Sequence, residues 1–226
     1  MNQLVLPLRL ADHAVFESYF VSGNEALVGT LLELAEGGDG HGCWLWGGLA
    51  TGKTHLLQAV CERAGDRSVY LPLGTLAEAG VGILEDLASR SPICIDDVDV
   101  VAGDAAWEAA LFDLCNQVID ASGQLVVAAN GSPRECGIEL LDLASRLSRL
   151  PVFHVQGLDD EQRIGALQLR ARHRGLELPG ETARYLLKRS KRDMASLYRL
   201  LDKLDLEALR AQRRLTIPFV RDVLQF

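Results

Sequence analysis

The sequence has no long apolar run, no excess of positive charge and no paired cysteines, and each absence removes a class of function. Its longest apolar stretches, such as Leu125-Val126-Val127-Ala128-Ala129, fall far short of the roughly 20 residues a helix needs to span a bilayer. The N-terminus lacks the basic start and apolar core of a secretion signal, so a soluble, cytoplasmic protein without a membrane partner is expected. The five cysteines, Cys43, Cys61, Cys94, Cys115 and Cys136, are odd in number and scattered, with no C-x-x-C pair and no histidine at ligand spacing. They read as reduced, mostly buried side chains and not as a disulfide framework or a metal site. Only 23 Lys and Arg stand against 31 Asp and Glu, a formal net charge of -8, which disfavours a protein whose main task is to coat duplex DNA. There is no internal repeat and no segment of disordered composition.

What is present is a chain of 226 residues, 48% hydrophobic, enough for one large or two modest domains. Short apolar runs at 43–46, 68–73, 92–97, 125–130 and 153–155 read as strands. Helical periodicity covers 24–35 and 105–121, where Trp107, Leu111, Leu114 and Val118 recur on one face. Strands alternating with helices imply a parallel sheet covered on both faces. Beyond Gly157 only helices are expected, at 160–174, 180–189 and 193–211, with a last one opened by Thr216 as N-cap and Pro218 in its first turn. The fold class is therefore α/β, a P-loop domain over residues 13–157 followed by a small all-helical lid over 158–226, with a separate peptide at 1–12.

The most specific motif is Gly47-Gly48-Leu49-Ala50-Thr51-Gly52-Lys53-Thr54, a complete G-x-x-x-x-G-K-[ST] between a strand and a helix start at His55. Gly47 and Gly52 can take backbone angles that let successive N–H groups turn inward around a phosphate chain, and the helix adds its positive end. Lys53 would reach the β- and γ-phosphates, and the Thr54 hydroxyl would coordinate Mg²⁺. ADP or ATP with Mg²⁺ is the expected ligand. A glycine-rich turn that merely contains lysine is the plain alternative. At the end of the third strand, Asp96 would hold the metal through water and Asp97 would orient or deprotonate the attacking water, although a D-D pair also caps loops. Asn130 closes the fourth strand at the same edge and is placed for the γ-phosphate or that water. An Asn before Gly131 and Pro133 equally suits a turn. Arg146, just before the last strand, either faces solvent or reaches a neighbouring subunit's nucleotide. Phe16, Tyr19 and Phe20 are candidates for the base pocket or for core packing.

The segments G-G-L-A-T-G-K-T-H at 47–55, I-D-D at 95–97, L-A-S-R-L at 143–147, L-P-G-E at 178–181 and L-T-I-P-F-V at 215–220 together resemble the AAA+ ATPases, and more narrowly the DnaA/Hda family of bacterial replication proteins. The resemblance runs over nearly the whole chain. It implies a regulator that promotes hydrolysis of ATP bound to the initiator DnaA, with Arg146 as the trans arginine, catalytic Asp97 and Asn130, and weak or no ATPase activity of its own. DnaA carries a helix-turn-helix domain after its lid, whereas this sequence ends at Phe226, so the regulator is expected over the initiator. The resemblance also implies that Gln3-Leu4-Val5-Leu6-Pro7-Leu8 docks on the sliding clamp, the β subunit of DNA polymerase III, and that DNA is met only through the loaded clamp. Gln3 would anchor through its amide, Leu4, Leu6 and Leu8 would enter a groove, and Pro7 would lower the ordering cost. Burying two leucines is worth roughly 3–6 kcal/mol before that cost, and with the other contacts of the peptide an affinity in the micromolar range is expected. Without the resemblance the hexapeptide reads as an edge strand.

One position departs from the family. The lid arginine that senses nucleotide falls, by count from L-P-G-E, on Ala195, and a methyl group cannot contact phosphate. Arg192 and Arg199 stand three residues before and four after. Slow intrinsic hydrolysis or a stable ADP state is the expectation, and self-association into a homo-oligomer remains open. Two rival readings are a helicase loader of the DnaC kind, which needs a basic strand-binding face, and a small-acceptor kinase, which needs an arginine-rich lid.

Overall fold

Apolar runs too short for helices produce five strands: β1 (Gly42–Trp46), β2 (Val69–Pro72), β3 (Ile93–Asp96), β4 (Leu125–Ala129) and β5 (Val152–His154). In this computed structural model, which describes residues 14–191 and 193–225, they form one parallel sheet in the order β2-β3-β4-β1-β5. Trp44 lies opposite Val127 on β4 and Val152 on β5. Every residue of the central β4 is buried, which is why its sequence is continuously apolar and not alternating. The edge strand β5 is the reverse, with Val152 and His154 exposed. Gln3, Leu4, Leu6, Pro7 and Leu8, the expected clamp contacts, lie outside the described residues, as does Arg192.

The helices cover the sheet as periodicity predicts. They are α1 (Glu25–Ala35), α2 (Lys53–Ala64), α3 (Leu73–Leu76), α4 (Ala105–Asp120) and α5 (Leu141–Leu147). Asp104 caps α4, its carboxylate accepting from the N–H groups of Ala106 at 2.9 Å and Trp107 at 3.2 Å. The buried face of α4 carries Trp107, Leu111, Leu114 and Val118 onto Trp44, Ile93, Ile95 and Val127 of the sheet. Each such side chain contributes on the order of 2 kcal/mol through burial. The segment 73–84, left unassigned by the sequence pattern, forms α3 and short 3-10 turns at Ala77–Ala79 and Val81–Leu84.

Contacts divide the chain into two compact units, residues 14–16 with 24–155, and residues 17–23 with 156–225. The second unit contains α6 (Asp160–His173), α7 (Gly180–Arg189), α8 (Met194–Ala211) and α9 (Ile217–Leu224). Asp159 and Gln162 form a reciprocal capping box on α6, and Asp193 and Thr216 cap α8 and α9. Leu167, Leu186, Leu201, Leu204 and Val220 make a separate core. Residues 17–23 pack with these helices: Phe20 lies against the backbone of Gly165, and Ser22 Oγ accepts from Gln162 Nε2 at 3.0 Å. Of the three leader aromatics, Phe16 and Tyr19 are buried and Phe20 joins the helical core. Among the described residues, no helix is long and apolar enough to cross a membrane.

Candidate functional site

The strand order sets β3, β4 and β1 side by side, so the segments leaving their carboxyl ends meet at one edge of the sheet. From β1 the chain enters the loop 47–52, whose last residue, Gly52, caps α2 at φ 100° and ψ 10°. Gly47 is packed so closely that a Cβ there would stand 2.9 Å from the Val155 carbonyl oxygen and 3.2 Å from Thr51 Oγ1. The loop is tied across its base by Thr51 Oγ1, which donates to Gly48 O at 3.0 Å. Ala50 takes a left-handed φ of 59°, and Leu49 at the tip is 87% exposed.

Lys53 opens α2 with its side chain folded back under the loop and only 6% of the residue exposed. Its ammonium donates to Gly47 O at 2.7 Å, Gly48 O at 3.0 Å and Asn130 Oδ1 at 3.2 Å, which uses all three N–H groups. Burial pushes its pKa down, and the charges of Asp96, Asp97 and Asp99 work against that shift. Thr54 is exposed on the first helical turn. His55 turns elsewhere, its Nε2 standing 2.9 Å from the Val15 carbonyl oxygen.

From β3 come two carboxylates in different surroundings. Asp96 is 1% exposed; its Oδ2 accepts from the Tyr70 hydroxyl at 2.9 Å and its Oδ1 from the Asp97 N–H at 3.1 Å. Tyr70 comes from the neighbouring edge strand, and burial together with the Asp96 charge pushes its pKa up, so it stays a donor. Asp97 turns the chain sharply out of the strand at φ 55° and ψ 42°, a left-handed conformation that Asp tolerates better than most residues. Its carboxylate lies against Gly74 of α3. Burial raises its pKa, Asp96 and Asp99 raise it further, and Lys53 partly offsets them. A carboxylate shifted in this direction accepts a proton more readily near neutral pH.

Asn130 leaves β4 and is held from two sides. Its backbone N–H donates to Asp99 Oδ1 at 3.2 Å and its side-chain Nδ2 to Asp99 Oδ2 at 2.7 Å, while its Oδ1 accepts from Lys53. Lys53, Asp96, Asp97 and Asn130, chosen from sequence, are thus brought to one edge. Asp99 and Tyr70 were missed. The D-D-V-D spacing signals Asp99, as the third acid of the same segment; a lone tyrosine in a short apolar strand signals Tyr70 more weakly.

Arg146 belongs to α5 and makes no contact with this cluster. It is half-buried, its guanidinium carbon 5.4 Å from the centre of the Phe112 ring on α4. The loop leading into α5 is secured by Glu108, a third residue the sequence reading passed over. Its buried carboxylate accepts from the N–H groups of Gly103 at 2.7 Å, Glu139 at 2.9 Å and Leu140 at 2.6 Å. In the helical unit, Ala195 is exposed on the first turn of α8, and Arg199 donates to Ser196 Oγ at 3.1 Å.

Among the described residues, no group of three or more His, Cys, Asp or Glu side chains is placed to hold a metal ion by itself. The start of α2, a buried ammonium and strand-end carboxylates form instead a set of groups that fits a polyphosphate with a shared cation.

Residues 160–224 match the family model described as Hda, lid domain. The structure is similar to domain III of the Thermotoga maritima replication initiation protein DnaA, with a TM-score of 0.80 at 21% identity over 96% of this chain and 98% of that one. It is similar also to AMPPCP-bound DnaA from Aquifex aeolicus, with a TM-score of 0.71 at 23% identity over 89% of this chain and 68% of that one. The Thermotoga maritima RuvB Holliday junction branch migration motor matches at 0.64 and 16% identity, over 89% of this chain and 67% of that one. The expected α/β sheet with a helical lid is therefore the AAA+ fold. The fold is similar to that of domain III of DnaA, and residues 160–224 are similar to the lid domain of Hda.

Proposed function

We propose that this protein is a nucleotide-holding regulator of DnaA, tethered to the sliding clamp through residues 3–8 and presenting Arg146 to ATP bound by DnaA. The observation that carries the reading is the match of residues 160–224 to the Hda lid on a DnaA-like fold. The P-loop edge supports it. Adenine nucleotide binds at Gly47–Thr54, where Lys53 exchanges its loop carbonyls for phosphate oxygens. Thr54 and Asp96 would hold a Mg²⁺ ion there, which would neutralise phosphate charge. Asp97, with its raised pKa, orients water at the same edge.

The ring of Phe112 holds the Arg146 guanidinium while leaving part of it accessible. An arginine restrained in this way loses less entropy on entering a neighbour's site, and a trans arginine is worth about 10³ to 10⁵ in hydrolysis rate. The clamp peptide supplies local concentration on DNA, so no basic DNA-coating surface is needed, in keeping with the net charge of -8. Cytoplasmic location follows from those partners.

The test is single-turnover hydrolysis of DnaA-bound ATP with loaded clamp. Arg146→Ala is expected to remove the stimulation while retaining clamp binding and nucleotide affinity. Stimulation at the wild-type rate would refute the arginine assignment, and no retention on clamp by the intact chain would refute the tether.

A further inference from the structure

Asn130 carries a carboxamide, which can face a phosphate with either its donor or its acceptor end, and the surrounding charges choose between them. A carboxylate only accepts and an ammonium only donates. Asp99 takes both the backbone N–H and the Nδ2 group of Asn130, at 3.2 and 2.7 Å, and Lys53 donates to Oδ1 at 3.2 Å. The amide orientation is therefore set twice over by chemistry, with the N–H₂ turned to Asp99 and the carbonyl oxygen turned to the P-loop lysine. The lone pairs thus face the Lys53 ammonium, the group that the nucleotide-site reading sets against the outermost phosphate.

From this geometry we propose that Asp99 is a positioning residue that sets the preference of the site for nucleoside diphosphate over triphosphate by holding the Asn130 amide with its oxygen toward the phosphates. This rests on the reading of the P-loop edge as a nucleotide site. An added phosphoryl group brings oxygen lone pairs toward a carbonyl oxygen and draws Lys53 away from it. To donate its N–H₂ instead, Asn130 must give up the 2.7 Å bond to Asp99. A diphosphate makes no such demand. Asp99 itself belongs to the short turn Val98–Val100, closed on its own cap by the Val100 N–H bond to Asp97 O at 3.0 Å, which fixes its backbone beside Asn130.

Asp99→Asn is the informative substitution. An asparagine at 99 still accepts the Asn130 backbone N–H with its oxygen and can donate to the Asn130 oxygen, which turns the Asn130 N–H₂ toward the P-loop. Dissociation constants for ADP and ATP are measured in Mg²⁺ on the full chain by calorimetry, for wild type, Asp99→Asn, Asn130→Ala and the double variant. The ratio Kd(ADP)/Kd(ATP) is expected to rise about tenfold in Asp99→Asn, the equivalent of one hydrogen bond gained in place of one clash. In the Asn130→Ala background the Asp99 substitution should leave that ratio unchanged within about twofold, because its effect passes through the amide. An unchanged ratio in the single variant would overturn the proposal. An equal rise with and without Asn130 would overturn it too, since the charge of Asp99 would then act directly on phosphate. If wild type bound neither nucleotide, the nucleotide-site reading itself would fall, a result distinct from either.

Discussion

Replacing Glu108 tests how the Arg146 helix is held in place. The residue is 3% exposed, and its carboxylate accepts from three backbone N–H groups. Two of these, on Glu139 and Leu140, belong to the loop that enters α5. Burial pushes the Glu108 pKa up, but the bonds from Gly103, Glu139 and Leu140 outweigh it and hold the carboxyl below the ordinary range. Leaving a buried donor unpaired costs about 1–3 kcal/mol, so Glu108→Ala, with water entering part of the space, should destabilise by about 3–5 kcal/mol. Glu108→Gln keeps the shape but points an N–H₂ at a backbone N–H, for about 2 kcal/mol. Urea unfolding followed by tryptophan fluorescence isolates the relevant unit, because Trp44, Trp46 and Trp107 all lie in it. With a slope of about 2–3 kcal/mol per molar, the alanine variant should unfold about 1–2 M earlier. The pH dependence has a definite sign. A depressed folded pKa gives stability that is complete above the unfolded value of about 4.3 and is lost as pH falls through the folded one. The gap between wild type and Glu108→Gln should therefore narrow only in acid. Variants within about 0.5 kcal/mol of wild type at neutral pH would refute the carboxylate's role, the size of an ordinary surface change.

Two further substitutions separate packing from ligand chemistry. Tyr70→Phe removes the donor to Asp96 Oδ2; it should cost about 1 kcal/mol in stability and weaken ATP binding a few-fold in Mg²⁺ but not in EDTA, and an equal loss in both would show that Asp96 does not act through the metal. Gly47→Ala places a Cβ 2.9 Å from the Val155 carbonyl oxygen, whereas the nearest atom to a Cβ at Gly48 is 4.0 Å away. Calorimetry should show at least tenfold weaker nucleotide binding for the first and little change for the second, and the reverse order would refute the close packing at the loop's entry.

The elements that could be read from sequence are those whose signal is local. The continuous apolar run 125–129 is the central strand, the spacing of Trp107, Leu111, Leu114 and Val118 is the buried face of α4, and Thr216 with Pro218 starts α9. The loop between β1 and α2 was legible for the same reason, since the motif at 47–54 is carried by eight consecutive residues. What escaped is the set of partners that only strand order creates. Tyr70 meets Asp96 because β2 pairs with β3, and Lys53 meets Asn130 because β1 lies beside β4. Residues 17–23 likewise join helices more than 130 positions away in the chain, as the Ser22–Gln162 bond shows. Glycine 74 is silent in sequence and acquires meaning only from the Asp97 carboxylate beside it.

Asp97 shows why the acidic segment resisted a residue-by-residue reading. A continued β conformation at 97 would alternate the side chains of 96, 97, 98 and 99 across the sheet. The left-handed turn at Asp97 breaks that alternation and starts the 3-10 turn Val98–Val100. The same turn aims the Asp97 N–H at Asp96 Oδ1 and swings Asp99 to the end of β4, where it captures Asn130. One backbone conformation thereby fixes a candidate metal ligand, a candidate base and the orientation of an amide on another strand. The three acids act as a unit through φ and ψ, which the order of residue types does not display.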